Sequence, residues 1–182
     1  MDADLEFLNS KKDDLPFAWN GEVYLIGHSR GGSIALLKAA NDERITKCAT
    51  WNAVFNLEKY TQLKEDADWK EDGVHYIANS RTNQQMPMYY QFVETYKQYQ
   101  GLLNMEDNLE KLVKPLLIIH AENDEAVPMS EAHAIYNLVD HAILVEIENT
   151  GHTFGMKHPL TERKISKALA QVISETLEFF EM

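Results

Sequence analysis

A serine set between glycines, an aspartate and a histidine are the residues of this chain best suited to nucleophilic catalysis. Ser29 stands in the run Gly27-His28-Ser29-Arg30-Gly31-Gly32. A serine hydroxyl is a weak nucleophile until a base takes its proton, and a histidine base needs a carboxylate to hold its tautomer. Asp124, in His120-Ala121-Glu122-Asn123-Asp124, and His152, in Asn149-Thr150-Gly151-His152, have the right chemistry for those roles. Glu122 and Glu125 flank Asp124 and are its alternatives as the orienting carboxylate. The reaction such a set performs is acyl transfer to water through an acyl-enzyme. The Arg30 backbone N–H, at the start of a helix, would face the developing oxyanion.

The remaining histidines fit lesser roles. His28 reads as a packing or pocket-lining residue, His120 as packing or loop anchoring, and His158, before a proline, as a surface residue. No His, Asp or Glu spacing resembles a metal site, so no metal and no cofactor are expected. Cys48 is the single cysteine, which excludes an intrachain disulfide and a Cys-rich metal site.

The elements that must position these groups follow from the apolar pattern. Val23 to Ile26 is a continuous apolar run between Asn20-Gly21 and Gly27, which predicts a strand buried on both faces. Residues 31–41 are helix formers, so Ser29 falls on a sharp strand-to-helix turn. Bulky residues at Gly27 and Gly31 are expected to clash there. Further strands are predicted from Lys47 to Val54, from Leu116 to His120 after Pro115, and from Ala142 to Ile147. Asp124 and His152 each follow one of these strands. Ser130 is the expected N-cap of the helix between the last two strands, with Glu131 in its first turn. A last helix is predicted from about Thr161 to Phe180, with Ile165, Leu169, Val172, Ile173, Leu177 and Phe180 on its apolar stripe. Strands alternating with helices predict an α/β fold with a mainly parallel sheet. In such a sheet Ser29, Asp124 and His152 share the carboxyl edge, where ligands bind.

Length and composition agree with a single domain over 1–182. The 182 residues suffice for one core, and 45% hydrophobic with 25% charged residues is ordinary for a globular chain. A net charge of −12 disfavours nucleic acid and anionic membrane as partners. No apolar run is long enough to span a bilayer. The acidic N-terminus does not read as a signal peptide, which points to a cytoplasmic location. The stretch from Leu57 to Asn108, rich in Tyr, Gln and Met, breaks the strand–helix rhythm. It looks helical in its second half and is a candidate cap insertion. Its aromatics Trp69, Tyr76, Tyr89, Tyr90 and Phe92, with His28, Trp51 and Phe55 near the strand ends, are candidates to line a substrate pocket or simply to pack.

The elbow GHSRGG, the acid loop HAENDEAVP and the histidine loop NTGHTFG together resemble the α/β-hydrolase superfamily, in its dienelactone-hydrolase-like and prolyl-oligopeptidase-like branch. The order Ser29, Asp124, His152 is the chain order of that fold. The resemblance implies that Ser29 attacks an acyl carbon, His152 shuttles the proton and Asp124 fixes the imidazole. It implies an ester or thioester of a small or medium acyl group as substrate, with a peptide as the alternative. A non-catalytic module that kept the elbow is the remaining possibility. Ala121 stands where members of the branch commonly have glycine.

The resemblance also implies four strands, and a loop with a second oxyanion donor, ahead of the elbow. No His-Gly or Gly-Gly precedes Val23 here, and residues 4–11 look like the helix before the elbow strand. Losing one oxyanion donor costs about 2.7 to 4 kcal/mol of transition-state stabilisation. The elbow strand would then be an exposed apolar edge and a template for pairing, so a homo-oligomer through that edge is expected. The expectation is a native species heavier than the 20.9 kDa chain. A native mass equal to the monomer, with full esterase activity, contradicts it.

Overall fold

The computed structural model describes residues 1–16, 18–60, 67–78, 83–157, 159–160 and 164–182. After a first helix, α1 (Asp2–Lys11), come β1 (Tyr24–His28), α2 (Arg30–Asn41) and β2 (Lys47–Trp51). An excursion follows: α3 (Ala67–Asp72), β3 (Val74–Ala78), β4 (Gln85–Tyr89), α4 (Gln91–Gln98) and α5 (Met105–Leu109). The chain then resumes its alternation with β5 (Leu116–Ala121), α6 (Met129–Leu138), β6 (Ile143–Ile147) and α7 (Lys167–Glu181). The main sheet has the order β1-β2-β5-β6, and each neighbouring pair is parallel. The α/β expectation therefore holds.

Side-chain alternation divides the core into two layers. Cys48 of β2 with Leu116 and Ile118 of β5 packs against Leu36 and Ala39 of α2, Leu109 of α5 and Ile135 of α6. Ala49, Leu117, Ile119 and Ala121 point the other way, onto Val172 and Phe179 of α7 and onto Phe154. β5 is buried at every position because helices cover both of its faces. Each large side chain so buried contributes about 1.5–3 kcal/mol. Lys38 and Arg44 bracket Asp42 and also reach Asp2, which fastens α1 to the end of α2.

Several expectations need correction. The apolar run alone predicts an elbow strand buried on both faces, whereas among the described residues β1 is the exposed edge that the resemblance implies, with Ile26 51% exposed. Leu25 packs on the α2 layer and Tyr24 stacks on Phe180, but α7 does not extend over Ile26. β2 stops at Trp51 rather than Val54, because Asn52 turns the chain at φ +49°. Pro128, not Ser130, is the N-cap of α6, and Ser130 lies inside its first turn. α7 begins at Lys167, capped by the Ser166 hydroxyl, which accepts from Leu169 N–H at 2.9 Å; Thr161 and His158 lie outside the described residues. Ile165 precedes the helix and Leu177 faces solvent; Thr176 takes the inward place.

The excursion is only partly helical. α4 and α5 agree with the expectation, whereas β3 and β4 form an antiparallel hairpin with Tyr76 opposite Pro87. Gln85-Met86-Pro87-Met88-Tyr89 carries no burial alternation that would reveal a strand, since most of it is exposed. Trp69, 4% exposed, joins α3 to the hairpin through its indole N–H, which donates to the Met88 carbonyl at 2.9 Å.

The glycines of the elbow have different reasons. A Cβ on Gly27 would lie 2.7 Å from the Gly31 carbonyl carbon, so the turn closes onto β1 there. A Cβ on Gly31 would meet nothing within 4 Å, contrary to expectation, while one on Gly32 would lie 2.5 Å from the Ala53 Cβ. Gly32 thus sets how closely α2 approaches the chain after β2. Gly32→Ala is expected to lower stability by about 1–3 kcal/mol in urea unfolding. Gly31→Ala should cost less than about 0.5 kcal/mol, and equal losses would contradict the assignment.

Candidate functional site

β1, β2, β5 and β6 all end on one edge of the sheet, and the candidate residues leave from those ends. Ser29 follows β1 directly and has φ +57° and ψ −129°, a region that costs a non-glycine residue about 1–3 kcal/mol. The strain is held by backbone pairing: Ser29 N–H donates to Trp51 O at 2.8 Å, and Ser29 O accepts from Gly32 N–H at 2.9 Å. The hydroxyl therefore sits between a strand end and a helix start. Arg30 is the first residue of α2, where helix geometry supplies its N–H with no intrahelical acceptor. Its guanidinium lies 5.8 Å from the centre of the Phe92 ring, which brings α4 to the elbow.

The candidate acid and base meet directly. His152 Nδ1–H donates to Asp124 Oδ2 at 2.7 Å, across loops that follow β6 and β5. A carboxylate only accepts, so this bond fixes the proton on Nδ1 and leaves the Nε2 lone pair available. Asp124 Oδ1 accepts from the N–H groups of Ala126 and Val127, both at 2.8 Å. Burial by itself pushes the Asp124 carboxyl up. The His152 and backbone hydrogen bonds outweigh burial and hold the carboxyl below its ordinary value.

Glu122 accepts from Asn149 N–H at 3.2 Å, and Glu125 is exposed. His120 is fully buried and its Nε2–H donates to Val127 O at 2.8 Å, so it anchors the acid loop. Burial pushes its pKa down, which keeps it neutral beside Asp124. Burial likewise pushes the Cys48 thiol up to about 12, which removes it as a rival nucleophile. Among the described residues no three His, Cys, Asp or Glu side chains are grouped to hold a metal.

Ser29 joins the acid–base pair through its neighbours. The His28 Nε2–H donates to the His152 carbonyl at 2.9 Å, and the two rings are 4.8 Å apart. Asn52 Nδ2 donates to the same carbonyl at 2.9 Å. Among the described residues the Ser29 hydroxyl and His152 Nε2 make no direct hydrogen bond, a contact that often tightens only when substrate is bound.

The pocket candidates separate. Phe55 lines a cavity of about 250 Å³ together with Leu57, Glu58, Tyr96, Leu103 and Met105. The N–H groups of Phe55 and Asn56 both donate to the Glu131 carboxylate at 2.8 Å, so α6 fixes this wall. Trp51 instead packs edge-on to Phe154, and its indole N–H donates to Thr176 at 3.0 Å, which props the histidine loop on α7. Tyr89 is 63% exposed on the hairpin and is absent from the cavity wall. Asn52 and Glu131 carry no local sequence signal for these roles, because their partners are far along the chain.

The model of the prolyl oligopeptidase family (Peptidase_S9) matches residues 12–172. The 2,6-dihydropseudooxynicotine hydrolase of Paenarthrobacter nicotinovorans is 26% identical over 147 residues, 76% of this chain and 35% of that protein. The chain thus spans about a third of the length of this curated relative. Est1E from Butyrivibrio proteoclasticus superposes with a TM-score of 0.65 at 20% identity, over 96% of this chain and 67% of that one. The Pyrococcus horikoshii acylaminoacyl peptidase does so with a TM-score of 0.62 at 14% identity, over 97% of this chain and 25% of that one. The fold is that of the α/β-hydrolases.

The depressed Asp124 value has a consequence for stability. The ionised carboxylate stabilises the fold above its unfolded pKa of about 3.9, and this contribution is lost as pH falls through the lower folded value. The wild type should therefore exceed Asp124→Asn in stability at pH 7 and lose that advantage below about pH 4, measured by urea unfolding across pH. An advantage that persists undiminished to pH 2.5 contradicts the hydrogen-bonded carboxylate.

Proposed function

The chain belongs to the prolyl oligopeptidase family, and we propose that it is a serine hydrolase whose catalytic residues are Ser29, His152 and Asp124. The observation that carries the reading is the 2.7 Å bond from His152 Nδ1–H to Asp124, on the same sheet edge as the strained Ser29 elbow. His152 Nε2 takes the Ser29 proton as Oγ attacks the acyl carbon, and the Arg30 backbone N–H donates to the oxyanion. The imidazolium then protonates the leaving alkoxide or thiolate, and the acyl-enzyme forms. Water follows the same route in reverse: His152 takes its proton, hydroxide attacks the acyl carbon, and Ser29 leaves with the proton restored. Asp124 stays ionised throughout and stabilises the transient imidazolium.

The substrate we propose is an ester or thioester of a small or medium acyl group. Val54 N–H donates to Ser29 O at 3.4 Å, which sets Phe55, a wall residue of the 250 Å³ cavity, near the elbow, although Ser29, Asp124 and His152 do not themselves line that cavity. Phe92 meets Arg30, and Tyr96, one helical turn along α4, lines the cavity. These contacts support the 57–108 segment as a cap that supplies the acyl pocket. Family membership favours peptide cleavage as the second reading.

A fluorophosphonate should label wild type on Ser29 and leave Ser29→Ala unlabelled, as read by peptide mass. Hydrolysis of p-nitrophenyl butyrate should exceed hydrolysis of an acyl-peptide anilide, and His152→Ala should lose nearly all of it. Faster anilide cleavage would move the assignment to the peptidase reading. Folded protein that neither labels nor hydrolyses would make the chain a non-catalytic member of the family.

A further inference from the structure

The His152 carbonyl is the meeting point of three chain segments that are remote in sequence. It accepts from Asn52 Nδ2 at 2.9 Å and from His28 Nε2–H at 2.9 Å. Asn52 is fully buried, and its Oδ1 accepts from Ala121 N–H at 2.7 Å while its own N–H donates to Ile119 O at 2.9 Å. The β2–β5 ladder pairs backbone with backbone as far as Trp51 and Ile119. Beyond that point the Asn52 amide replaces the missing backbone partner: its oxygen pairs with the end of β5 and its nitrogen reaches to the histidine loop. The residue must both accept and donate, and it must tolerate φ +49°; asparagine does all three.

We infer that Asn52 is a positioning residue for the reaction: its amide, with the His28 imidazole, sets the place of His152 relative to Ser29. The inference rests on the serine-hydrolase reading. Asp124 governs only the tautomer and the tilt of the imidazole. The distance of His152 from the nucleophile depends on where its backbone lies, and the two donors bond that backbone at His152 itself. His28 is covalently next to Ser29, so its bond couples the elbow to the histidine loop. Asn52 couples the same carbonyl to the strand from which Asp124 departs. A displacement of about 1 Å between base and nucleophile is enough to cost on the order of a hundredfold in rate.

Three variants test this. Asn52→Asp retains the acceptor for Ala121 N–H and loses the donor once the new carboxyl ionises. Asn52→Gly accepts the positive φ without strain and removes the amide. His28→Phe keeps an exposed ring and removes the other donor. The rate of fluorophosphonate labelling and the steady-state constants for p-nitrophenyl butyrate are measured across pH. Thr50→Val, at a buried residue of the same strand outside the proposed site, serves as control.

The expected result is a ten- to hundredfold fall in labelling rate and kcat for Asn52→Gly, with KM within about threefold of wild type. The deficit of Asn52→Asp should grow with pH as its carboxyl ionises, at pH values where urea unfolding shows the variant still folded. His28→Phe should lose at least about threefold, and Thr50→Val should match wild type. Asn52→Gly labelling within twofold of wild type, while wild type labels normally, overturns the inference and leaves the serine-hydrolase reading intact. If neither Asn52 variant folds, an undiminished His28→Phe overturns it equally. Failure of the wild type itself to label overturns both.

Discussion

The hydrogen bond from His152 Nδ1–H to the Asp124 carboxylate is the interaction on which the proposed site depends. It joins residues 28 positions apart, on loops that leave different strands. It forms without contortion because β5 and β6 are parallel neighbours and deliver both loops to the same edge. The loops are further laced by Asn123 N–H to Thr150 O at 3.0 Å and by Asn149 N–H to Glu122. Ser166, the cap of α7, donates its hydroxyl to the Phe154 carbonyl and so ties the histidine loop to the helix beneath it. β5 and α7 thus hold the loop of one imidazole from two sides.

The Ser29 side is built to a different rule. Its constraint is steric: Gly27 and Gly32 let the turn close on β1 and on Ala53, and Ser29 is held at a positive φ by bonds to Trp51 and Gly32. β1 itself is the outer strand, with Ile26 exposed, and no described strand pairs with its outer side. The two halves of the site are joined at the His152 carbonyl, where His28 and Asn52 converge. Preorganisation of this kind is what the proposed acyl transfer requires, since the proton must move as the carbon–oxygen bond forms.

The parts of this arrangement that depend on local pattern were legible in the sequence. The apolar runs at Leu116–Ile119 and Ile143–Ile147, the glycine-flanked serine and the helix after it all report on their own neighbourhoods. The sequence already favours Asp124 over Glu122 and Glu125, and the loop geometry turns Glu122 toward Asn149. The β3–β4 hairpin is not legible in the sequence because an exposed two-stranded ribbon with a central proline carries almost no burial pattern. β1 resembled a buried strand because hydropathy records what a segment is able to bury, not what covers it. Trp51 was a reasonable pocket candidate by type, yet its neighbours Phe154 and Thr176 come from over 100 residues away and turn it into a prop. Asn52 was invisible for the same reason: its role lies wholly in long-range hydrogen bonds.

If Ser29 and His152 act as one unit, their contributions to the rate must fail to add. The direct measurement is the p-nitrophenyl butyrate hydrolysis rate of Ser29→Ala, His152→Ala and the double variant, under conditions where each is folded. The account predicts that either single change removes nearly the whole enzymatic rate and that the double variant is no worse than either one. Losses that multiply in the double variant would mean that the two residues act independently, and would contradict it.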